Sequence, residues 1–410
     1  MSRPAAEINW KRNLVAVTGA SFVGFTGFTL VMPFLPLYIQ QLGVTDVGEI
    51  AWWTGLTLGA TPALTALCGP FWGRVADRLG SKLMVMRALS AFVLCMAAMA
   101  FVTRPWHLLA LRALLGLFAG YGTLALSMAA ESAPREKMAQ AIGAVQTAQR
   151  LGPAIGPVVG GLLAPLVGLR ASFLVAAAVY AVAVVVVWLM YVERPRERRP
   201  AEAADTHVEF RSILAFENFL LLMGVIFGLQ FADRSFGPVL PLWVAQSGVP
   251  AARVPFVSGV LFSVMAVAAA LGHHSCGRLL QVMSARVLIA VMAVVAAASV
   301  LAFAFTHAVA AMILAMAVFG VAVGAAMTAS YTAAGSVVPS EAHATGFGFL
   351  TSASLVGLAV SPVLNGFVGA ASLRTVFLLD AAVLAILAIV VRRVMVDRRL
   401  TIESPSTEEA

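Results

Sequence analysis

The sequence predicts an all-α membrane protein with twelve transmembrane helices in two pseudo-symmetric six-helix bundles. Three observations support this fold class. Hydrophobic residues make up 61% of the 410 residues and charged residues only 11%, and the mean hydropathy is +0.93. The apolar segments run for about 20 residues or more, without the strict alternation of a transmembrane strand. The chain also repeats its own pattern after about 204 residues,.

The internal repeat is visible in prolines, glycines and basic residues. The segment Pro33–Tyr38 returns as Pro238–Trp243. Further matches pair Gly73 with Gly277, Lys82 with Arg286, Gly116 with Gly320, Gly152 with Gly357, Pro157 with Pro362, and Gly161 with Gly366. Two homologous bundles that face each other across a site at the membrane midplane are typical of secondary transporters.

We expect each apolar segment to be one span. The predicted spans cover residues 13–41, 47–73, 83–103, 106–131, 138–165, 171–191, 213–246, 255–280, 285–306, 308–337, 342–370 and 373–393. Several are longer than the bilayer requires, which predicts tilted helices or helices bent at proline. The prolines expected to bend them are Pro33, Pro36, Pro153, Pro157, Pro238, Pro241 and Pro362.

The spans divide the chain into two bundles with short polar flanks. The predicted parts are a tail over residues 1–12, a first bundle over 13–191, a linker over 192–212, a second bundle over 213–393 and a tail over 394–410. Most basic residues fall on the side of the termini and the linker, which predicts that this side is cytoplasmic. The opposite side has only Arg104, Arg170, Arg253 and Arg374.

The net charge of +8 is therefore a signal of membrane topology, and we expect no nucleic-acid partner,. The alanine-rich composition favours a bacterial inner membrane as the location of this multi-pass protein. The three cysteines form no ligand cluster in the sequence, so we expect no metal site and no disulfide,.

A glycine-rich charged segment follows the second predicted span. It begins at Gly73 and includes Asp77, Arg78 and Gly80, and it resembles the signature of the major facilitator superfamily at this loop. Gly73 and Gly80 permit a tight turn and a close approach of helices. Asp77 and Arg78, with Glu131 at the end of the fourth span, can form charge-assisted contacts. We interpret this group as a cytoplasmic latch that stabilises an outward-open state.

A second motif, in the fifth span, resembles the superfamily's exporter-type motif. It consists of Gly143, Gly152, Gly156, Pro157, Gly160 and Gly161. Glycines four residues apart form a smooth face that lets another helix approach closely. The resemblance implies an outward-directed antiporter and disfavours an importer. The alternative is a packing face of small residues without a transport role.

Three ionisable residues within the spans are candidates for proton coupling. Arg112, before Gly116 in the fourth span, resembles a superfamily motif whose arginine is proposed to take part in coupling; a structural hydrogen-bonding role is the alternative. Asp233 is the best candidate for a protonatable carrier, and its neighbour Arg234 points about 100° away, so we do not expect the two to pair. Asp380, in the twelfth span, is a weaker candidate.

The remaining polar and aromatic positions in the spans are candidates for lining a substrate cavity. They are Arg234, Gln146, Arg150, Phe28, Gln230 and Tyr331. Gln146 and Arg150 are four residues apart and share a helical face. Phe28 occupies the repeat position of Asp233, so we expect no proton site in the first span.

These features together predict a secondary active transporter that exports drug-like or amphipathic small molecules in exchange for protons, by alternating access. Its expected partners are a small-molecule substrate, protons and the lipid bilayer, and we expect a monomer. The proton gradient supplies the energy, and no cofactor is expected. A sugar or metabolite exporter of the same fold and a non-transporting membrane receptor or scaffold are the alternatives. An enzyme is not expected, because the sequence has no phosphate-binding loop.

Overall fold

The computed structural model describes residues 9–134, 137–193, 216–338 and 343–396. Across these ranges the chain forms fourteen α-helices and no strand. The first half contains α1 (Trp10–Leu30), α2 (Leu35–Gln41), α3 (Val47–Leu79), α4 (Ser81–Met99), α5 (Pro105–Phe118), α6 (Tyr121–Ser132), α7 (Met138–Val167) and α8 (Leu169–Met190). The second half contains α9 (Phe219–Gln246), α10 (Val254–Val282), α11 (Ala285–Phe305), α12 (Val309–Val337), α13 (His343–Ala371) and α14 (Leu373–Val394).

The helices form the twelve predicted spans, which confirms the predicted fold class. Among the described residues, ten helices are long and apolar enough to cross a membrane. The 33-residue α3 and the pair α5–α6 complete the set. The predicted tails and linker fall largely outside the described residues, so the domain boundaries remain predictions.

Two of the spans are broken into two helices each. The first span bends at a turn between α1 and α2 that contains Pro33, and Pro36 occupies the first turn of α2,. This bend confirms the prediction for both prolines. The fourth span breaks at Gly120, which has a φ of +107° between α5 and α6. The sequence analysis did not predict this break, because the apolar run continues through it without a proline.

The other prolines predicted to bend a span lie inside continuous helices. They are Pro153 and Pro157 in α7, Pro238 and Pro241 in α9, and Pro362 in α13. A membrane helix tolerates an internal proline where neighbouring groups satisfy the freed carbonyl.

The expected turn at Gly73 is wrong. The helix α3 continues to Leu79, so Gly73 and Asp77 lie within a helix and not in a loop. Gly80 alone makes the turn into α4, with a φ of +93°, a conformation that suits glycine,. The predicted boundary is wrong because charged residues end an apolar span without ending its helix, and α3 continues through them to Leu79.

Two asparagine side chains tie the first and last helices of each half together in the same way. In the first half, Asn13 Nδ2 donates to Val192 O (2.8 Å) and Val192 N donates to Asn13 Oδ1 (2.9 Å). In the second half, Asn218 Nδ2 donates to Val396 O (3.0 Å) and Val396 N donates to Asn218 Oδ1 (2.9 Å). We call these bond pairs the amide clamps; they show that the repeat extends to individual hydrogen bonds.

A basic side chain reinforces each amide clamp. Lys82 Nζ donates to the carbonyls of Trp188 (3.1 Å) and Tyr191 (2.6 Å) at the end of α8. Its repeat partner Arg286 donates through Nε to the carbonyl of Arg392 (3.0 Å) in the last turn of α14. Cations placed here satisfy orphan carbonyls and complement the helix dipole. We refer to this end of the molecule as the basic end.

The two bundles meet along two helix pairs, α3 with α13 and α7 with α10. Glycines allow backbone to touch backbone there. A Cβ placed on Gly55 of α3 would lie 2.9 Å from Gly366 Cα, and one on Gly161 of α7 would lie 2.5 Å from Pro255 O of α10. Gly259 of α10 similarly meets the backbone of Pro157. These contacts lie in the halves of the helices remote from the basic end.

The same four helices diverge towards the basic end. Gly69 of α3, Gly143 of α7, Gly277 of α10 and Gly348 of α13 have no described atom within 4 Å of an added Cβ, leaving aside the helix's own backbone. The bundles are therefore in contact at the remote end, whereas the described residues leave open space around these four glycines towards the basic end.

Removal of either amide clamp should destabilise its own half of the protein. We expect Asn13→Ala to lower the free energy of unfolding by about 1–3 kcal/mol, because it leaves the partly buried peptide groups of Val192 without their hydrogen-bond partner,. Asn218→Ala should cost less, because its clamp is more exposed. Once the partly exposed Cys68 is replaced by alanine, thermal unfolding can be followed through a thiol-reactive dye, since Cys95 and Cys276 are buried in different halves. Equal destabilisation by both substitutions would contradict the burial argument.

A larger side chain at Gly55 should force the closed end apart. We expect Gly55→Leu to lengthen the distance between spin labels at Val47 and Ala371, because the backbones of Pro362 and Gly366 occupy the space. Double electron–electron resonance spectroscopy measures the distance between the two spin labels. Gly69→Leu on the same helix is the matched control and should leave the distance unchanged. An unchanged distance in Gly55→Leu would show that this contact does not limit the separation of the bundles.

Candidate functional site

The glycine face of α7 packs against α1 within the first bundle. A Cβ on Gly152 would lie 2.7 Å from Thr26 N, and one on Gly156 would lie 2.5 Å from Thr26 O. A Cβ on Gly160 would overlap the carbonyl of Leu30. The sequence predicted such a close helix contact, and α1 is the helix that makes it. Whether these glycines also support export remains a prediction.

The other residues of the exporter-type motif have different surroundings. Pro157 and Gly161 point away from α1 and contact Gly259 and Pro255 of α10, across the bundle interface. Gly143 has no described neighbour within 4 Å of an added Cβ. The motif therefore serves two contacts, one within the first bundle and one between bundles.

The second bundle replaces part of this glycine face with polar side chains. Gly357 keeps the close approach, since a Cβ there would lie 2.8 Å from Phe227 O. Ser361 stands where the first half has Gly156, and its hydroxyl donates to Phe231 O (2.5 Å). Asn365 donates through Nδ2 to Ser361 Oγ (3.2 Å). The two halves thus pack alike but differ in hydrogen bonding.

Arg112 is completely buried inside the first bundle. Its guanidinium lies 6.0 Å from the centre of the Phe28 ring and close to the uncharged side chains of Tyr180 and Cys95. None of the three guanidinium nitrogens has a hydrogen-bond acceptor among the described residues. Burying a charge without a partner is unfavourable, so a purely structural hydrogen-bonding role does not account for this side chain. Its involvement in proton coupling remains a prediction.

Asp233 and Arg234 form an ion pair at the midpoint of α9. Arg234 Nε lies 3.1 Å from Asp233 Oδ2, although Nε makes no hydrogen bond of good geometry. The expectation that these neighbours do not pair is wrong. The two Cβ atoms point in different directions, but the arginine side chain is long enough to bring Nε back to the carboxylate. Both side chains remain partly accessible, with 18% of Asp233 and 29% of Arg234 exposed.

Gln146 and Arg150 are exposed on α7, well inside the membrane-spanning part of that helix. A charged side chain at this depth faces water or another polar group, because contact with hydrocarbon is costly. Arg150 lies within electrostatic range of His273 of α10. His273 Nδ1 in turn lies 2.7 Å from Thr328 Oγ1 of α12. Polar groups from α7 of the first bundle and from α10 and α12 of the second bundle therefore lie close together.

The sequence does not predict the His273–Thr328 pair. The only signal in the sequence was two adjacent histidines, His273 and His274, in an apolar segment. Thr328 carries no such signal, because a threonine in a membrane helix commonly bonds to its own backbone.

The remaining cavity candidates lie on α1, α9 and α12. Gln230 Oε1 accepts a hydrogen bond from Ser354 Oγ of α13 (3.3 Å). Tyr331 stacks on Phe347 with ring centroids 6.3 Å apart and an interplanar angle of 8°. Phe28 is half-buried beside Arg112. The structure thus places Gln230 and Tyr331 near α13 and Phe28 beside the buried Arg112.

Asp380 lies apart from these residues. It is completely buried on α14, beside Ser235 of α9. Neither carboxyl oxygen has a hydrogen-bond partner among the described residues, and the Ser235 hydroxyl donates to Ala232 O instead (2.9 Å). Ser235 and Asp233 point in different directions from α9, so Asp380 does not share the partly exposed environment of Asp233.

The latch group remains a prediction. The surroundings of Gly73 and of the Asp77 side chain lie outside what the structure describes, and Arg78 is exposed at the basic end. Glu131 accepts a hydrogen bond from Ser127 Oγ (3.0 Å) on the same helix.

Substitutions in the glycine face should separate packing from other roles of the motif. We expect Gly160→Ala to lower the free energy of unfolding by about 1–3 kcal/mol, because the added methyl group would overlap the Leu30 carbonyl,. Gly143→Ala is the matched control in the same motif and should be neutral. Dye labelling of the buried Cys95 during heating reports the unfolding of the first half. The packing argument fails if Gly160→Ala unfolds at the same temperature as the parent protein.

Comparison with known proteins identifies the family. The model of the Major Facilitator Superfamily matches residues 17–307 and 223–410. The chain is 34% identical over 271 residues to multidrug resistance protein MdtG of Proteus mirabilis, which covers 66% of this chain and 67% of that protein. It is 36% identical over 283 residues to the protein of the same name from Citrobacter koseri, covering 68% and 69%.

Solved structures share the fold at low sequence identity. A bacterial homolog of the human lysosomal transporter Spinster, in an inward-facing and occupied conformation, superposes with a TM-score of 0.79 and 18% identity over 96% of this chain and 98% of that chain. A mutant of the nucleoside transporter NupG gives a TM-score of 0.67 and 15% identity over 92% and 98%. The chain is a multi-pass integral membrane transporter and not an enzyme, and it belongs to the major facilitator superfamily.

Proposed function

We propose that this protein exports drug-like or amphipathic small molecules in exchange for protons. The observation that carries the proposal is the set of charged and polar side chains that remain partly or fully exposed at membrane depth on helices of both bundles. Gln146 and Arg150 on α7 and the Asp233–Arg234 pair on α9 belong to this set. Relatives named as multidrug resistance proteins support the substrate class.

Transport would proceed by alternating access. The glycine contacts of α3 with α13 and of α7 with α10 close the remote end. Because these contacts are between backbones and small residues, they can separate without extracting large side chains from pockets. Rocking of the bundles would open the remote end and bring together the basic ends, where the latch residues Asp77, Arg78 and Glu131 would act.

The proton would be carried by Asp233. As a carboxylate it pairs with Arg234, 3.1 Å away. Protonation would neutralise Asp233, remove the ion pair and leave the Arg234 guanidinium available to another partner. A site that changes its charge in this way favours different conformations in its two protonation states, which is what coupling requires. The proton gradient is then the energy source, and no cofactor takes part.

The substrate would bind between the bundles. Gln146, Arg150 and Gln230 offer hydrogen bonds, and Phe28 and Tyr331 offer aromatic surface, so one molecule with polar and apolar parts can satisfy both. We further propose that the protein acts as a monomer in a bacterial inner membrane with its basic end, and hence both termini, in the cytoplasm. The density of basic residues at that end supports this orientation,.

Proton release from acidified everted vesicles tests the proposal. Addition of a transported cationic dye should release protons from vesicles that contain the parent protein. We expect Asp233→Asn to reduce the initial rate at least about tenfold, because the amide cannot exchange a proton. Asp380→Asn is the matched control, since it removes a buried acid that lies away from the open space, and it should retain most of the release.

Two other outcomes would redirect the proposal. Proton release that survives in Asp233→Asn and disappears in Asp380→Asn would identify Asp380 of α14 as the proton carrier. Absence of release with a panel of amphipathic compounds, despite correct folding and insertion, would reject proton-coupled export of this substrate class.

A further inference from the structure

An apolar groove of about 490 Å³ lies between α11 and α14, away from the interface of the two bundles. Its lining from α11 is Ala290, Val291, Val294 and Val295, and its lining from α14 is Ala388, Ile389, Arg392 and Arg393. Apart from the two arginines, all of these side chains are aliphatic. The groove therefore has an apolar body and a charged rim.

The groove forms because the two helices pack through small side chains. Ala290 and Ala388 are buried at its floor, with 7% and 4% of their surface exposed. Val294 and Ile389 stand at its sides and are each 55% exposed. Small residues let the helices approach, while the larger aliphatic groups on either side leave a channel open to the surrounding lipid.

The rim of the groove carries a cluster of three arginines. Arg392 and Arg393 form the last turn of α14. Arg286, in the first turn of α11, donates through Nε to the Arg392 carbonyl (3.0 Å) and so brings a third guanidinium to the same place. At about 3.6 residues per turn, the apolar lining extends about one turn from this cluster on α14 and about two and a half turns on α11,.

Helix capping does not account for the whole arrangement. Arginines at the end of α14 complement its dipole and follow the basic bias of the cytoplasmic side. Neither effect requires an open aliphatic channel directly beneath them. A ligand with an anionic head and a hydrocarbon tail matches both features. A guanidinium group can donate two parallel hydrogen bonds to phosphate oxygens, and the channel can accept an acyl chain.

We propose that this groove binds one anionic phospholipid of the surrounding leaflet. Its phosphate lies between Arg392 and Arg393, and one acyl chain lies along Val294 and Ile389. The bound lipid contacts the end of α14 just before Val396, which forms the amide clamp with Asn218. Binding should therefore stabilise the second bundle as well as occupy the groove.

Native mass spectrometry of the delipidated full-length protein tests this proposal. We expect phosphatidylglycerol to be retained at least about tenfold more than phosphatidylcholine with the same acyl chains. The double substitution Arg392→Gln and Arg393→Gln should abolish this preference. The matched control is Arg253→Gln with Arg278→Gln, which removes two exposed charges elsewhere and should preserve it.

A second pair of variants tests the apolar body of the groove while leaving its arginines intact. Val294→Trp should fill the channel and reduce retention of phosphatidylglycerol. Val182→Trp replaces a similarly exposed valine on α8 (60% exposed) and should not. Dye labelling of Cys276 on heating verifies folding and should show stabilisation of the parent protein by phosphatidylglycerol.

Three results would overturn the proposal. Equal retention of both lipids would indicate general annular contact. Equal loss of retention in the arginine pair and its control would indicate an effect of net charge alone. Binding of glycerol 3-phosphate as strong as that of the lipid would assign the arginines to a soluble phosphate and leave the apolar channel without a role.

Discussion

Contact of backbone with backbone at glycine is the interaction on which this structure depends. Lipid chains are as apolar as the helices, so the bundles gain little from hiding hydrophobic surface and must gain from close packing instead. The helix α7 uses this contact twice, holding α1 through Gly152, Gly156 and Gly160 and meeting α10 through Gly161. The first of these contacts lies within one bundle, and the second is one that the proposed transport cycle would break.

The two halves are alike where they pack and different where they carry charge. Phe28 and Asp233 occupy equivalent positions, as do Gly156 and Ser361. The first half instead buries Arg112 among aromatic side chains with no anionic partner in its described surroundings. A repeated scaffold therefore supports an asymmetric arrangement of ionisable groups, with an unpaired cation in one bundle and an accessible ion pair in the other.

The sequence predicted the spans, the repeat and the close helix contact of the glycine motif, because apolar length and residue spacing are local properties. It did not predict the break at Gly120, where only the backbone conformation distinguishes the site from its neighbours. The pairing of Asp233 with Arg234 was missed because helical angles describe Cβ directions and not the reach of a long side chain. The amide clamps join residues nearly 180 positions apart, and no pattern in either segment indicates its partner.

The amide clamps also bear on how such a protein could be divided. Each half closes on itself at the amide clamps, since Asn13 holds Val192 within the first half and Asn218 holds Val396 within the second. Two polypeptides separated between Val192 and Asn218 would each retain a complete set of these bonds. The covalent connection then contributes mainly a high local concentration of one half around the other. In this respect the molecule resembles a tethered heterodimer of two self-contained bundles.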